Sequence, residues 1–432
     1  MICENLTVSH NGHLCFGGQD VTVLSNRYGT PLCLMDEDRI RANCRLFREA
    51  MLESFGEDCL PLYASKACSF KQIYRIMSEE GMGIDLVSAG EIATAKAAGF
   101  DLSKGYFHGN NKTDDDIRYA MEAGVGCFVV DNPEEAMAIQ RIAESFGRKQ
   151  KVLLRLTPGI DPHTYEQVNT GMVDSKFGQA IATGQAEQTT ALMLSMPNLD
   201  FAGYHCHIGS QVFTEDVFEQ AAQVSVKFAR DMRDKLGFTP CELNLGGGFG
   251  VRYVESDPVP DVRAKIASIS KALHEACRKY SLPVPRVLLE PGRAIVADAG
   301  LTVYTVGTVK TIPGYRTYVS VDGGMTDNPR FALYRARYTV FAANRMNEST
   351  DLFCSVVGRC CESGDILQEQ VPLPSSLRRG DLLAVCTGGA YQYSMSSNYN
   401  RIPRPPVIML RDGESYTAVR RETAEDLLRL DE

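Results

Sequence analysis

The chain has 432 residues, 44% of them hydrophobic and 23% charged, which suits a globular protein large enough for two domains with separate cores. Its 45 basic and 54 acidic residues leave a net charge of -9, which excludes a general nucleic-acid or anionic-membrane surface and favours a small-molecule partner. The 14 cysteines are scattered, only Cys360 and Cys361 are adjacent, and no C-x-x-C pair occurs, so neither a metal centre nor a disulfide framework is expected. With no apolar run of spanning length and no leader-like pattern after Met1, a cytoplasmic protein is expected.

Taken in chain order, Phe16 to Leu24 followed by Tyr28-Gly29-Thr30-Pro31 reads as strand and turn, able to pair with a β domain elsewhere. Asp36 precedes a helical pattern with Ile40, Cys44, Phe47 and Met51 on one face. From about residue 30 to 290, short apolar runs alternate with helical patterns, as in parallel β/α units. The runs are Leu60–Ala64, Ile84–Val87, Tyr106–His108, Cys127–Val130, Val152–Leu156, Phe201–His207, Glu242–Leu245 and Val287–Glu290. Between them, Ser88 with Glu91 forms a capping box. Asp131-Asn132-Pro133 opens another helix, with Ala136, Ile139, Ala143 and Phe146 inward and Gly147 as its stop.

Eight such units predict a (β/α)8 TIM barrel, with a doubly wound open sheet as the rival. After residue 300 the runs Val303–Val309, Thr317–Val321, Tyr338–Phe341, Phe353–Val357 and Leu382–Cys386 are β-branched and aromatic, joined by Gly- and Pro-containing turns. The expected division is a barrel over residues 31–290 and a β-sandwich or β-barrel domain over 1–30 and 291–432.

The position of the reactive residues favours the barrel, whose active site lies at the C-terminal ends of its strands. Lys66 follows the first strand, and Asp85, Ser88 and Glu91 surround the end of the second. His108-Gly109-Asn110 ends the third, Arg155 the fifth, and His205 to Ser210 the sixth. Gly246-Gly247-Gly248-Phe249-Gly250 follows the seventh and Glu290-Pro291-Gly292-Arg293 the eighth. A lone lysine at a strand end is ordinarily just solvated. Here a glycine loop that can bring backbone N–H groups to a phosphate, with Arg293 for charge, accompanies it. Together they suggest one cofactor spanning both, pyridoxal 5'-phosphate, with Lys66 as its Schiff-base partner. Such a cofactor needs a carboxylate at its ring nitrogen, for which Glu290 is placed, and His207 would lie over the ring. In the second domain, Gly358 to Asp365 is dense in reactive groups, and Cys361 sits there in a polar Gly-rich loop.

Tyr63-Ala64-Ser65-Lys66-Ala67, Ile84 to Glu91, His108 to Lys112, Ser175-Lys176-Phe177-Gly178, His205 to Gln211, Gly246 to Gly250, Glu290 to Arg293, Cys361-Glu362-Ser363 and Gly389-Ala390-Tyr391 recur in one family in this order. In them the chain resembles the fold-type III pyridoxal-phosphate decarboxylases that act on ornithine, lysine, arginine and diaminopimelate, and most of all the diaminopimelate branch. The resemblance spans nearly the whole chain. It implies an alanine racemase-like barrel, a C-terminal β domain and an obligate homodimer with shared active sites. The activity implied is decarboxylation of meso-2,6-diaminopimelate to L-lysine and CO2, the last step of lysine biosynthesis.

By the same resemblance Lys66 carries pyridoxal 5'-phosphate, His207 stacks on the ring, and Glu290 pairs with the ring nitrogen. Asp85, Ser210, Gly247, Gly248, Gly292, Arg293 and Tyr391 complete the cofactor site. Cys361 of the partner subunit donates the proton, and substrate contacts fall on Arg293, Arg330, Tyr334, Glu362 and Tyr391. Related ornithine decarboxylases place an aspartate after the tyrosine equivalent to Tyr334, where this chain has Arg335. The chain departs from the family pattern at Arg359 with the extra Cys360, and at Cys68. A same-fold decarboxylase of D-ornithine, D-lysine or ornithine is the near alternative. A racemase of the same barrel would lack the Cys361-Glu362-Ser363 loop, and a regulatory homologue that had lost the cofactor would not need Lys66, Glu290 and Cys361.

Overall fold

In a computed structural model, residues 1–160, 174–214 and 216–432 are described. They fall into two compact units, one of Cys44–Gly250 with Pro260–Gly292 and one of Met1–Asn43 with Val251–Val259 and Arg293–Glu432. The first division lies at Asn43, inside the helix Glu37–Phe55, and not at residue 30.

Among the described residues of the first unit, eight parallel strands close into a barrel: β1 (Cys59–Ala64), β2 (Gly83–Leu86), β3 (Gly105–Phe107), β4 (Cys127–Val130), β5 (Gln150–Thr157), β6 (Leu199–Cys206), β7 (Glu242–Asn244) and β8 (Arg286–Leu289). Each pairs with the next, and β8 returns to β1 through Val287 opposite Cys59. Parallel strands covered by helices are buried on both faces, so they appear in sequence as unbroken apolar runs such as Cys127-Phe128-Val129-Val130. Leu62, Tyr106, Val129, Leu153, Ala202 and Leu288 pack together as one cluster.

Local signals set the helices between them. The Ser88 hydroxyl accepts the Glu91 N–H and starts the helix Ala89–Ala98. The capping box is only half present, because the Glu91 carboxylate takes the N–H of Val87, one residue before the cap. Asn132 caps Pro133–Ser145. Its inward face is Ala136, Ile139, Ile142 and Ala143. Phe146 does not belong to that face: the helix stops at Ser145, and Phe146 is 36% exposed beneath the Arg148 guanidinium.

The second unit is mostly strand. Its long strand Gly300–Ile312 pairs with Leu32–Asp36 and Leu382–Cys386 in its first half and with Arg316–Val321 in its second. A register shift between Val306 and Thr308 marks the change of partner. Leu352–Val357, Ile366–Leu373, Val407–Arg411 and Glu414–Val419 extend the sheet. The opening segment differs from the expected strand and turn. Only Leu14–Phe16 and Gln19–Asp20 are strand there, and Val21–Tyr28 is a helix because the Asp20 carboxylate caps it at the Thr22 N–H. Val21 and Leu24 of that helix join Leu14, Phe16, Leu32, Leu34, Leu301 and Ile408 in one core. No helix among the described residues is long and apolar enough to cross a membrane.

Candidate active site

β1 ends at Ala64, and Ser65–Ala67 form a single 3-10 turn. Ser65 and Ala67 are buried while Lys66 between them is exposed, so the turn presents the lysine amine at the C-terminal end of the barrel. The Tyr63 hydroxyl fixes the turn by donating to the Cys68 carbonyl at 2.8 Å. Ser65 Oγ links the ends of β1 and β2 through the Asp85 carbonyl and the Glu91 carboxylate. The charge on Lys66 acts on Asp85, Glu91 and His207, which places these groups around it.

Glu290, just past β8, is the electrostatic centre of the barrel end. Its Oε1 lies 3.0 Å from His108 Nε2 and accepts a hydrogen bond from Asn244 Nδ2 at 2.7 Å. Its Oε2 lies 3.3 Å from His205 Nε2. Burial alone would push this carboxyl up, but the two histidines overcome it and hold Glu290 well below the usual carboxylate range. His205 is driven down to about 4 by burial, so at neutral pH it is a neutral imidazole that donates one N–H to the carboxylate. Asp85 is raised by burial, against the pull of His108. Its Oδ1 has no hydrogen-bond partner among the described residues.

His207 follows β6 and is held well below its ordinary value, first by burial and then by Lys66, which makes it a neutral planar ring. Its Nδ1 accepts the Gly247 N–H at 3.1 Å. Gly246 likewise gives its N–H to Asn244 Oδ1. Gly247 is therefore not a free donor to a phosphate; what it supplies is space, since a Cβ there would lie 2.0 Å from the Glu290 carbonyl. The N–H of Gly248 has no hydrogen-bond partner among the described residues, and its φ of +113° with the Gly209 carbonyl 2.4 Å from a would-be Cβ admits only glycine. A Cβ on Gly292 would lie 2.8 Å from the Ala64 Cβ, and Ser210 lies half-buried in the loop after β6.

A second constellation lies in the β unit. Arg293 Nη1 donates to the Tyr253 hydroxyl and Arg330 Nη1 to the Tyr338 hydroxyl. The Tyr391 ring lies 4.7 Å from the Arg293 guanidinium and 5.9 Å from that of Arg330. Tyr391 has φ of +59°, a conformation rare for a bulky side chain. Tyr334 closes the short helix Arg330–Tyr334. Cys361 and Glu362 stand on an exposed loop, apart from these buried groups. The loop is tied down by Asp365 Oδ2, which accepts the Cys360 N–H at 2.7 Å, and by Asn400 Oδ1, which accepts the Cys361 N–H at 2.8 Å.

Sequence reasoning placed His108, Arg155 and His205 at strand ends but gave them no role, and it missed Tyr253 and Tyr338. The pairing of both histidines with Glu290 has no local sequence signal, because the three residues stand at the ends of β3, β6 and β8. His108, His205 and Glu290 bring one ligand atom each within 4.8 Å of the others, a spacing that suits a metal. His205 Nε2 is hydrogen-bonded to Glu290 Oε2, and His108 Nε2 lies 3.0 Å from the other carboxylate oxygen. The barrel end fits a phosphorylated pyridine aldehyde. It has an exposed lysine at a strand end, an ionised buried carboxylate for a ring nitrogen, a neutral imidazole and an unused backbone N–H in a glycine cradle.

Residues 37–297 match the pyridoxal binding domain of the pyridoxal-dependent decarboxylases. A diaminopimelate decarboxylase of Bacillus subtilis is 45% identical over 423 residues, 98% of this chain and 96% of its own length. One of Staphylococcus aureus is 40% identical over 420 residues, 97% of this chain and 98% of its own. The crystal structure of diaminopimelate decarboxylase from M. jannaschii in complex with L-lysine superposes with a TM-score of 0.90 at 30% identity, over 100% of this chain and 98% of that one. The chain therefore belongs to the pyridoxal-dependent decarboxylases, in their diaminopimelate decarboxylase branch, and its cofactor is pyridoxal 5'-phosphate.

Proposed function

We propose that this protein converts meso-2,6-diaminopimelate to L-lysine and CO2, the last step of lysine biosynthesis, as a cytoplasmic homodimer. The observation that carries the reading is the Glu290 carboxylate, kept ionised in a buried site by His108 and His205 beside an exposed strand-end lysine. When bound, pyridoxal 5'-phosphate supplies an electron sink for the pair left by departing CO2.

The residues divide the remaining work. Lys66 is the covalent anchor, and its exposure lets an incoming substrate amine replace it. Glu290 holds a proton on the ring nitrogen, which an uncharged side chain would not do. His207, neutral and with Nδ1 already bonded to Gly247, stacks without competing for that proton. Gly248, Ser210 and the Gly292-Arg293 segment hold the phosphate, Gly247 leaves room for it, and Asp85 completes the lysine's polar surroundings. Cys361 of the partner subunit returns a proton to the carbon that has lost CO2. The β unit thus carries the cysteine loop and the dimer contacts.

Charge sets the choice of substrate. The non-reacting end of meso-diaminopimelate carries a carboxylate and an amine, which call for a cation beside an anion. Arg330 can take the carboxylate in a bidentate fork, with Arg293, Tyr334 and Tyr391 around it, and Glu362 can take the amine. Arg335, where ornithine decarboxylases have an aspartate, disfavours a substrate ending in a bare ammonium. CO2 release from meso-diaminopimelate, ornithine and lysine tests the assignment. It should be fastest with meso-diaminopimelate, and faster turnover of ornithine or lysine would reject it.

A further inference from the structure

We propose that Tyr253 and Tyr338 are positioning residues that lock the Arg293 and Arg330 guanidiniums into a paired fork for the carboxylate on the non-reacting end of the substrate. This deepens the functional reading above and rests on it. The four side chains are almost fully buried: Tyr253 is 5% exposed, Tyr338 3%, Arg293 7% and Arg330 8%. The Tyr253 hydroxyl accepts from Arg293 Nη1 at 2.5 Å, and the Tyr338 hydroxyl from Arg330 Nη1 at 2.6 Å. The two phenol rings meet edge to face with centroids 5.2 Å apart, so neither can swing without displacing the other.

The rings also enclose the charges. The Arg330 guanidinium lies 5.2 Å from the Tyr253 ring and 5.6 Å from that of Tyr338, and Arg293 lies 5.7 Å from the Tyr253 ring. Tyr253 therefore touches both arginines. Its backbone is bound to the segment bearing Tyr338, because its carbonyl accepts both the N–H and the hydroxyl of Thr339. The Tyr338 N–H is taken by Gln368 Oε1 at 2.9 Å.

The charge balance of this cluster indicates its ligand. A buried cation is costly unless an anion or several hydrogen-bond acceptors face it. Besides burial, the groups acting most strongly on Arg330 are three tyrosines, Tyr338, Tyr253 and Tyr391. A phenol hydroxyl accepts an N–H, which compensates a buried cation less than a carboxylate does. Burial pushes the Tyr253 phenol up, and Arg293 and Arg330 overcome it and bring it below its ordinary value. An arriving carboxylate brings a negative charge to the Arg330 guanidinium, and guanidinium forks held in advance bind it without first losing side-chain freedom.

The test uses Tyr253→Phe and Tyr338→Phe in the holoenzyme, each of which keeps its ring and removes only the hydroxyl. KM for meso-diaminopimelate and the dissociation constant of L-lysine, measured by calorimetry, should rise about tenfold for each lost phenol, with kcat within about twofold of the parent. Cadaverine, the same diamine without a carboxylate, should bind as it does to the parent. If one variant fails to fold, the other carries the comparison. A fall in kcat at constant KM, or equal weakening of L-lysine and cadaverine, would overturn the proposal. A parent enzyme that releases no CO2 from meso-diaminopimelate and binds no L-lysine would overturn the functional reading itself, and this role with it.

Discussion

His108 Nε2 stands 3.0 Å from Glu290 Oε1, while His205 Nε2 reaches the other carboxylate oxygen at 3.3 Å. Two histidines from different strands thus clamp one acid and keep it ionised where burial would otherwise protonate it. Replacing that charge by an amide of the same shape removes what the ring nitrogen needs and leaves the packing intact. Glu290→Gln should retain the cofactor yet lose kcat by about a hundredfold or more. Steady-state kinetics on cofactor-saturated protein would check this, and unchanged kcat would contradict the role given to Glu290.

Glu91 makes stability depend on pH. Burial pushes its carboxyl up from 4.5 to about 7, against the Val87 N–H and Ser65. Because the folded value lies above the unfolded one, the native state keeps a proton that the unfolded chain has already released. Stability is therefore lost as pH rises from about 4.5 to about 7, and the loss is complete above that window. Glu91→Gln removes the titration and keeps a hydrogen-bonding group. Relative to the parent it should gain roughly 2 kcal/mol of stability between pH 5 and pH 8, a figure reduced for partial exposure. Urea midpoints at the two pH values would show the gain. Parallel midpoints would rule it out.

If Cys361 serves the active site of the partner subunit, defects in Lys66 and Cys361 should complement each other. Lys66→Ala and Cys361→Ala homodimers should both be inactive. In a random mixture half the dimers are hybrids, each with one intact site of two, so about a quarter of the parent activity should return. Verified heterodimers without activity would show that each site takes both residues from one chain.

The eight barrel strands were legible because parallel strands buried on both faces leave unbroken apolar runs, as in Cys127 to Val130. The helix Val21–Tyr28 was not, since Val21-Thr22-Val23 alternates like a strand and only the cap at Asp20 tells otherwise. Ile366–Leu373 escaped notice because Gln368, Glu369, Gln370 and Pro372 hide its period. The strand-end places of Lys66, His207 and Glu290 were legible, because they follow from the sequence order of the strands. The pairing of His108 and His205 with Glu290, and of the tyrosines with the arginines, depends on closure of the fold, which no local pattern records.

Lys66 as the anchor of the cofactor is the central claim, and borohydride trapping tests it most directly. Reduction of the yellow holoenzyme should convert the reversible lysine–carbonyl linkage to a stable secondary amine, and mass analysis of the digest should place the pyridoxyl-phosphate group on the peptide containing Lys66. A label on any other lysine, or a protein that takes up no cofactor, would contradict the account.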